Sequence, residues 1–558
     1  MKLEPVDYAV ISQSVLAAAR EMGAKLIRSA YSTIVREAED ASAALLDRNG
    51  NVVAQAELIP IQLGAISAAF APCIARHPVD TLEEGDFLIN NDPFQGGQHV
   101  PDVFIFSPVF YAGRVIAFSA TCAHHLDFGG GNPGLNATAS DVFQEGLIIP
   151  PAKYNYERDW NGGNFERMVA ANIRVPALTI GDFNSQFAAN AIGAARISQL
   201  CDKYGSDLVE ATLEALNAYS ERRVRNAIRD LPDGVYCGED AVDDDGLSDE
   251  PLAVKASVRI SGEDMEIDFE GTCPQVTRNL NAPFASTISA ALSCVKSALT
   301  SADIPFNEGA KRPITIKAPF GSLLNPRPPA PVRARLEASY RAYNAVMKAL
   351  SQVVPEQVIA TGFDTTTALS ISHLGPDGYR VYIEIFGGGY GASAHGDGCD
   401  AIDSPLSNCR NMPVEALDME YPYFRVTDYG MTPDSCGHGT YRGGVGFYRR
   451  YEILEDDVNF AIYADRFRIE PEGLFGGTNG TCGRCEVERD GEIIRVHSKD
   501  GLMLRKGDLL TLYTGGGAGY GDVAHRDRSL IRADVRSGLI TPTEAERVYG
   551  VTGSTGTQ

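Results

Sequence analysis

The sequence predicts a mixed α+β chain, large and multi-part, with β-hairpins and sheets covered by helices. Three observations lead to this. Apolar residues recur at three- and four-residue steps in some segments and in short runs in others, the signatures of helix and strand. Turn residues such as Asn49-Gly50 and Ala112-Gly113 sit between paired apolar runs and mark hairpins. No solenoid repeat and no low-complexity tract runs through the 558 residues.

Taken in order, Ala9, Val15, Leu16, Ala19, Met22, Leu26, Ile27 and Ala30 form the apolar stripe of a helix from residue 6 to about 30. The period then changes. Ala43-Ala44-Leu45-Leu46 and Val52-Val53-Ala54 flank the turn Asp47-Arg48-Asn49-Gly50, a hairpin that leaves Asp40 at the mouth of its first strand. A second helix is expected from Leu63 to Ile74, and Phe87-Leu88-Ile89 reads as a buried strand running into a loop over 90–97. Val103–Phe110 and Val115–Thr121 form the next hairpin. With its turn near Ala112-Gly113, pairing sets residue 102 opposite about 123 and 99 opposite about 126, so His99, Asp102 and His124 converge at one end.

Residues 208–229 are expected to be helical. Strand-like pieces follow at Ala253–Ile260 and Met265–Phe269, then helices over Ser286–Leu299 and 334–351 on either side of a Pro-rich crossing at 325–331. Glycine-punctuated strands lead to a last short helix at 542–548. The acidic, turn-rich stretch Glu239–Gly246 divides the chain into an N-terminal part, 1–238, carrying the histidine cluster, and a glycine-rich C-terminal α+β part, 239–558.

Composition narrows the function. Lys and Arg number 49 against 73 Asp and Glu, a net charge of −24 that repels nucleic acid and anionic membranes. No window reaches the roughly 18 apolar residues of a membrane span, and the opening Met1–Asp7 places acids where a secretory signal would be basic, so a soluble cytoplasmic protein is expected. The odd count of 11 cysteines points to reduced thiols. The one close pair, Cys482-x-x-Cys485, lacks the second pair of a zinc ribbon and the helix of a thioredoxin site.

Of nine histidines, His99, His124 and His125 share one short stretch with Asp92, Asp102 and Asp127. Imidazole and carboxylate without thiolate suit Zn²⁺ or Mn²⁺, and Asp40 can join from its neighbouring strand. The spacing equally allows a strand end with one buried and one solvated histidine and ordinary loop-capping acids. The glycine segments 129–134, 387–391 and 515–521 do not fit a P-loop, and Gly129–Gly134 has no helix behind it for a dinucleotide fingerprint. Neither a G-x-S-x-G elbow nor an H-E-x-x-H helix is present. Cys436 and His438 stand in a glycine turn with no visible support for a nucleophile.

Several blocks go further. Asn91-Asp92-Pro93-Phe94-x-Gly96-Gly97-x-His99-x-x-Asp102-Val103, Ala123-His124-His125-x-Asp127-x-Gly129-Gly130 and Gln144-Glu145-Gly146-Leu147-x-Ile149-Pro150-Pro151 resemble the signature of the hydantoinase B/5-oxoprolinase family. Asp40-x-Ser42, Asp303-Ile304-Pro305-x-Asn307-Glu308-Gly309, Asn411-x-Pro413-x-Glu415, Arg442-Gly443-Gly444-x-Gly446 and Thr514-Gly515-Gly516-Gly517 continue the resemblance along nearly the whole chain. It implies a subunit of an ATP-dependent enzyme that opens a cyclic amide such as a lactam, hydantoin or 5-oxoproline. An ATP- and Mg-binding partner of the hydantoinase A type, in an α2β2 or larger complex, would phosphorylate the substrate carbonyl. A divalent metal, Zn or Mn, held by Asp40, His99, Asp102 and His124 would supply activated water, with His125 or Asp127 as catalytic base or as the carboxylate orienting an imidazole. A ketone carboxylase subunit of the acetone or acetophenone type is the alternative enzyme, and a non-catalytic scaffold for the ATPase subunit the alternative of another class. Two positions depart from the family: Gln62 stands where histidine is usual, and Cys436 where glycine is usual.

Overall fold

The structure is a computed structural model that describes residues 4–551 except Glu57 and Ser404. The chain forms two compact units. One comprises residues 4–239, 254–349 and 375–382; the other comprises 240–253, 350–374 and the chain from 383. The expected division into 1–238 and 239–558 is therefore corrected, because residues 254–349 pack into the first unit: Ala285 joins the core around Phe70, Phe104 and Phe118.

The first unit is built on a six-stranded sheet. Helix α1 (Pro5–Ser29) leads into β1 (Ala41–Asp47) and β2 (Val52–Gln55), then α2 (Pro60–Leu63) and α3 (Ile66–Arg76). β3 (Asp86–Asn90), β4 (Asp102–Tyr111), β5 (Arg114–His124) and β6 (Ala152–Asn155) complete the sheet, in the antiparallel order β2-β1-β5-β4-β3-β6. Both faces are covered. Alternate β4 residues divide between two cores: Phe104 and Phe106 pack with Phe70 of α3, Val103 and Ile105 with Trp160 and Phe183. That is why Val103–Phe106 of β4 reads as an unbroken apolar run.

The sequence reading passes over one long helix, α4 (Pro176–Tyr204). Its buried residues mix Thr179, Gly181, Asp182, Ser185, Gln186, Asn190 and Gly193 with Phe183, Ala189, Ile197 and Cys201, so the apolar stripe is interrupted. Polar side chains on this face bond the sheet: Gln186 Nε2 donates to the Val103 carbonyl at 2.9 Å and Asn190 Nδ2 to that of Ile105 at 3.2 Å. Gly181 leaves room for Tyr31, whose ring carbons would lie 2.3 Å from a Cβ placed there. Helices α5 (Ser206–Arg229), α6 (Phe284–Leu299) and α7 (Arg335–Leu350) follow. The helix expected over 63–74 is broken at Gly64, where a Cβ would stand 2.7 Å from Ser289 Cα on α6, and this break separates α2 from α3.

The second unit holds a five-stranded antiparallel sheet in the order Phe424–Met431, Phe447–Ile453, Leu509–Tyr513, Arg484–Arg489, Glu492–Val496. The acidic stretch after residue 239 is no solvated linker: Asp243 accepts the backbone N–H groups of Phe467, Arg468 and Ile469, and Asp240 pairs with Arg466 at 2.7 Å. None of the 11 cysteines is in a disulfide. Burial pushes the Cys436 and Cys482 thiols up to about 12. His438 does not hydrogen-bond Cys436; its ring nitrogens lie 3.0 Å from Tyr549 Oη and 3.0 Å from Glu544 Oε1 of the last helix. Among the described residues, no helix is long and apolar enough to cross a membrane.

Candidate metal centre

Strand register builds the site. β5 lies between β1 and β4, and His124 at its end stands directly opposite Asp102 of β4. A bulge at Val109–Phe110 moves the pairing one residue from the expected partner, 123, and so aligns the two ligand-type side chains. On the other side β1 pairs Ala41 with Ala123, and the residue before it, Asp40, accepts the His124 amide at 3.1 Å. Asp40, His124 and Asp102 thus form a row across three adjacent strand ends. His99 arrives from the β3–β4 loop, which turns back so that the Asp102 amide donates to the His99 carbonyl at 3.0 Å. Gly96 permits that loop: it has φ +87° and a Cβ there would lie 2.0 Å from the Ala68 carbonyl oxygen. Asn91 fastens the loop by donating to the Val100 and Leu147 carbonyls.

The ligand atoms converge. His99 Nε2 lies 3.1 Å from His124 Nδ1 and 3.1 Å from Asp102 Oδ1, while His124 Nδ1 lies 3.4 Å from Asp102 Oδ1 and 3.6 Å from Asp40 Oδ2. Donors bound at about 2.0–2.2 Å to one ion are separated by roughly 2.8–3.6 Å on a four- to six-coordinate shell. The spacing and the mixed nitrogen and oxygen set therefore fit a divalent cation. All four residues are buried, with Asp102 fully inaccessible. Burial drives His99 down to about 3, keeping its ring neutral and able to ligate. It pushes Asp40 up, opposed by His124, and it pushes on Asp102 in the same direction, but there His99, the Arg335 guanidinium and the His124 hydrogen bond prevail and hold the carboxyl well below the usual carboxylate range.

Three further residues surround the cluster, and of these the sequence singles out only Gln62, as a departure from the family. Gln62 of α2 donates to Asp40 Oδ1 at 2.9 Å, and its own Oε1, buried, has no hydrogen-bond partner among the described residues. Arg335, the first residue of α7, donates to Asp102 Oδ2 at 2.5 Å and lies 2.7 Å from His99 Nδ1. Glu145 accepts the Val332 and Arg333 amides at 2.9 and 2.8 Å, holding a turn whose Arg333 carbonyl is 3.0 Å from the same His99 nitrogen. One sequence signal pointed here: arginine at the start of a helix opposes the macrodipole, which favours acids at that end.

His125 and Asp127 are not brought into the cluster. His125 is fully buried, stacked on Phe183, with Nε2 3.1 Å from Gln186 Oε1, and burial drives it down to about 3, too low for a base at neutral pH. Asp127 accepts both the Arg174 backbone N–H at 2.5 Å and its guanidinium at 2.9 Å. Asp92 likewise caps its own loop, accepting from Phe94 N and Gln95 Nε2.

The sheet end thus gathers two imidazoles and two carboxylates without a thiolate, a donor set of the kind that suits a hard or borderline divalent cation. The chain belongs to the hydantoinase B/oxoprolinase family, whose model matches residues 4–523. It is 36% identical over 569 aligned positions to a protein of Pseudomonas sp. (strain NS671) named as a B-type D-/L-hydantoinase subunit, covering 99% of this chain and 95% of that one. It is also similar to the ATP-dependent caprolactamase crystal structure from Pseudomonas jessenii, with TM-score 0.90, 28% identity, and coverage of 100% of this chain and 98% of that one. A nucleotide-free acetone carboxylase structure shares the fold, with TM-score 0.88 at 19% identity over 99% of this chain and 80% of the other.

Proposed function

We propose that this chain is the metal-dependent subunit of an ATP-dependent cyclic amidohydrolase that opens a lactam, hydantoin or 5-oxoproline ring after a hydantoinase A-type partner subunit has phosphorylated the carbonyl oxygen. The observation that carries the reading is the convergence of the His99, Asp102 and His124 ligand atoms within 4.8 Å of one another, with Asp40 Oδ2 beside them at 3.6 Å from His124 Nδ1, in a chain of this family. Zn²⁺ or Mn²⁺ bound there would supply Lewis acidity toward the substrate and its attacking water.

The chain's own residues do the rest. Gln62 fixes Asp40 through Oδ1, and Arg335 fixes Asp102 through Oδ2, so each carboxylate keeps one oxygen turned toward the cluster. The Arg333 carbonyl aligns the His99 ring. Burial of all four side chains keeps bulk water from competing for them. A cyclic amide is a poor electrophile, which is why the reading assigns activation to ATP on a partner.

The fold shared with acetone carboxylase supports a second reading, a subunit of a ketone carboxylase. The carboxylase chain is the longer of the two, whereas this chain matches caprolactamase and the hydantoinase protein end to end, which favours ring opening. The test is to copurify the complex with its partner subunit and assay ATP-dependent turnover of lactams, hydantoins and 5-oxoproline against acetone or acetophenone with bicarbonate. Ring opening is expected, abolished by chelation and reduced by several orders of magnitude in His124→Ala, the scale of losing metal-assisted chemistry. Carboxylation would move the assignment to the second reading, and full ring opening by a metal-free His124→Ala complex would leave the chain a scaffold.

A further inference from the structure

His99 Nδ1 faces two groups that make opposite demands on it. The Arg333 carbonyl oxygen at 3.0 Å can only accept, so it requires a proton on Nδ1. The Arg335 guanidinium nitrogen at 2.7 Å can only donate, so it requires a lone pair there. A neutral imidazole has one N–H, and its position decides what the other nitrogen does. With the proton on Nε2, the ring donates to Asp102 Oδ1 at 3.1 Å and accepts from Arg335. With the proton on Nδ1, the ring donates to Arg333, and the Nε2 lone pair points at a carboxylate oxygen and at His124. Even where His124 Nδ1 donates to that nitrogen, the second arrangement sets the Nε2 lone pair against Asp102 Oδ1 and the Nδ1–H against the Arg335 donor, unless a cation stands between Nε2 and the carboxylate.

We propose that Arg335 is a positioning residue that acts as the resident counter-ion of the metal-free centre, holding His99 in its Nε2–H tautomer and releasing that ring when a divalent cation enters. This rests on the metal reading above. Arg335 is 3% exposed and places its full charge against Asp102 in a site that also buries Asp40. Its Nε has no hydrogen-bond partner among the described residues, so the guanidinium is not locked on every side. It stabilises the empty centre and repels a second cation, and both effects weaken metal binding.

The consequence runs against the usual result of removing a group that orients a ligand. Arg335→Gln should bind Mn²⁺ or Zn²⁺ at least about tenfold more tightly by calorimetry, the size expected when one nearby charge is lost at intermediate dielectric. The same variant should melt lower without metal and gain more on adding it than the wild type does. A folded Arg335→Gln chain whose affinity is unchanged or weaker overturns the proposal. An independent measurement needs no variant of Arg335: nitrogen NMR of histidine-labelled chain, with His99 assigned by His99→Gln, should show the Nε2–H tautomer without metal and Nδ1–H with Zn²⁺. An Nδ1–H tautomer in the metal-free chain also overturns it. Wild-type chain that takes up neither cation removes the metal reading and this inference together, whereas wild-type binding with no gain in Arg335→Gln removes the inference alone.

Discussion

Glu145 shows how far a single side chain can depart from its ordinary chemistry once the fold encloses it. Burial pushes its pKa up to about 8, against the pull of the Arg333 and Val332 amides it accepts. Its folded pKa lies above its unfolded value, so the native state holds a proton that the unfolded chain has already lost. Stability from this group is complete below the ordinary glutamate value, is lost as pH rises, and reaches its full cost above about 8. Glu145→Gln mimics the protonated form. We expect it to match the wild type near pH 5 and to exceed it at pH 8 by on the order of 3 kcal/mol. Urea unfolding followed by the fluorescence of Trp160, the single tryptophan and a core residue of the same unit, measures this. Equal pH dependence in both proteins would show that Glu145 ionises freely. At this scale the sequence was uneven. His99, Asp102 and His124 announce themselves because they crowd into one stretch, whereas Gln62, Glu145 and Arg335 reach the site only through contacts between distant segments. His125 and Asp127 share the crowding but not the site, because one faces α4 and the other is held by Arg174.

Among elements, the β4–β5 hairpin and α4 mark the two ends of legibility. The hairpin is readable from its apolar runs and its turn, yet the bulge at Val109–Phe110 is not, and that single inserted residue decides which side chain opposes Asp102. Helix α4 is hard to read because polar residues interrupt the apolar ones on its buried face. Its side chains substitute for backbone partners: Gln186 joins the Val103 carbonyl to His125 Nε2, and Asn190 takes the Ile105 carbonyl. Gln186→Leu keeps the size of the side chain but strips a partner from each of two fully buried groups. An unsatisfied buried polar group costs about 1–3 kcal/mol, so the first unit should lose roughly 2–4 kcal/mol, with α4 still folded. Chemical denaturation read by Trp160 fluorescence checks the loss. An unchanged midpoint would mean that the apolar gain offsets the orphaned groups and that the polar seam is dispensable.

For the whole molecule, the proposed function raises the question of where ATP would act, and the glycine-rich segments of the second unit bear on it. In sequence their glycine content invites a phosphate-binding reading, although none of them fits a P-loop. In the structure they pack backbone against backbone with no space for side chains: a Cβ on Gly444 would lie 1.8 Å from the Cys399 carbonyl oxygen, and one on Gly517 2.1 Å from that of Tyr390. Their N–H groups point at one another's carbonyls. Gly389 donates to Gly515, Gly517 to Gly444, Gly444 to Tyr390, Ala518 to Thr361 and Gly519 to Thr478, each at 2.8–3.0 Å. A phosphate-binding nest needs consecutive N–H groups turned outward, and these are already engaged within the unit. The glycines are there for close packing, which a linear reading cannot distinguish from ligand binding because both demand the same missing side chain. The net charge of −24 adds a field that opposes a nucleotide anion. We therefore expect the isolated chain, loaded with Mn²⁺ or Zn²⁺, to give no binding heat with MgATP by calorimetry, and the complex with its partner subunit to bind ATP in proportion to that partner. Micromolar ATP binding by the isolated chain would place nucleotide chemistry here and undo the proposed division of labour between two subunits.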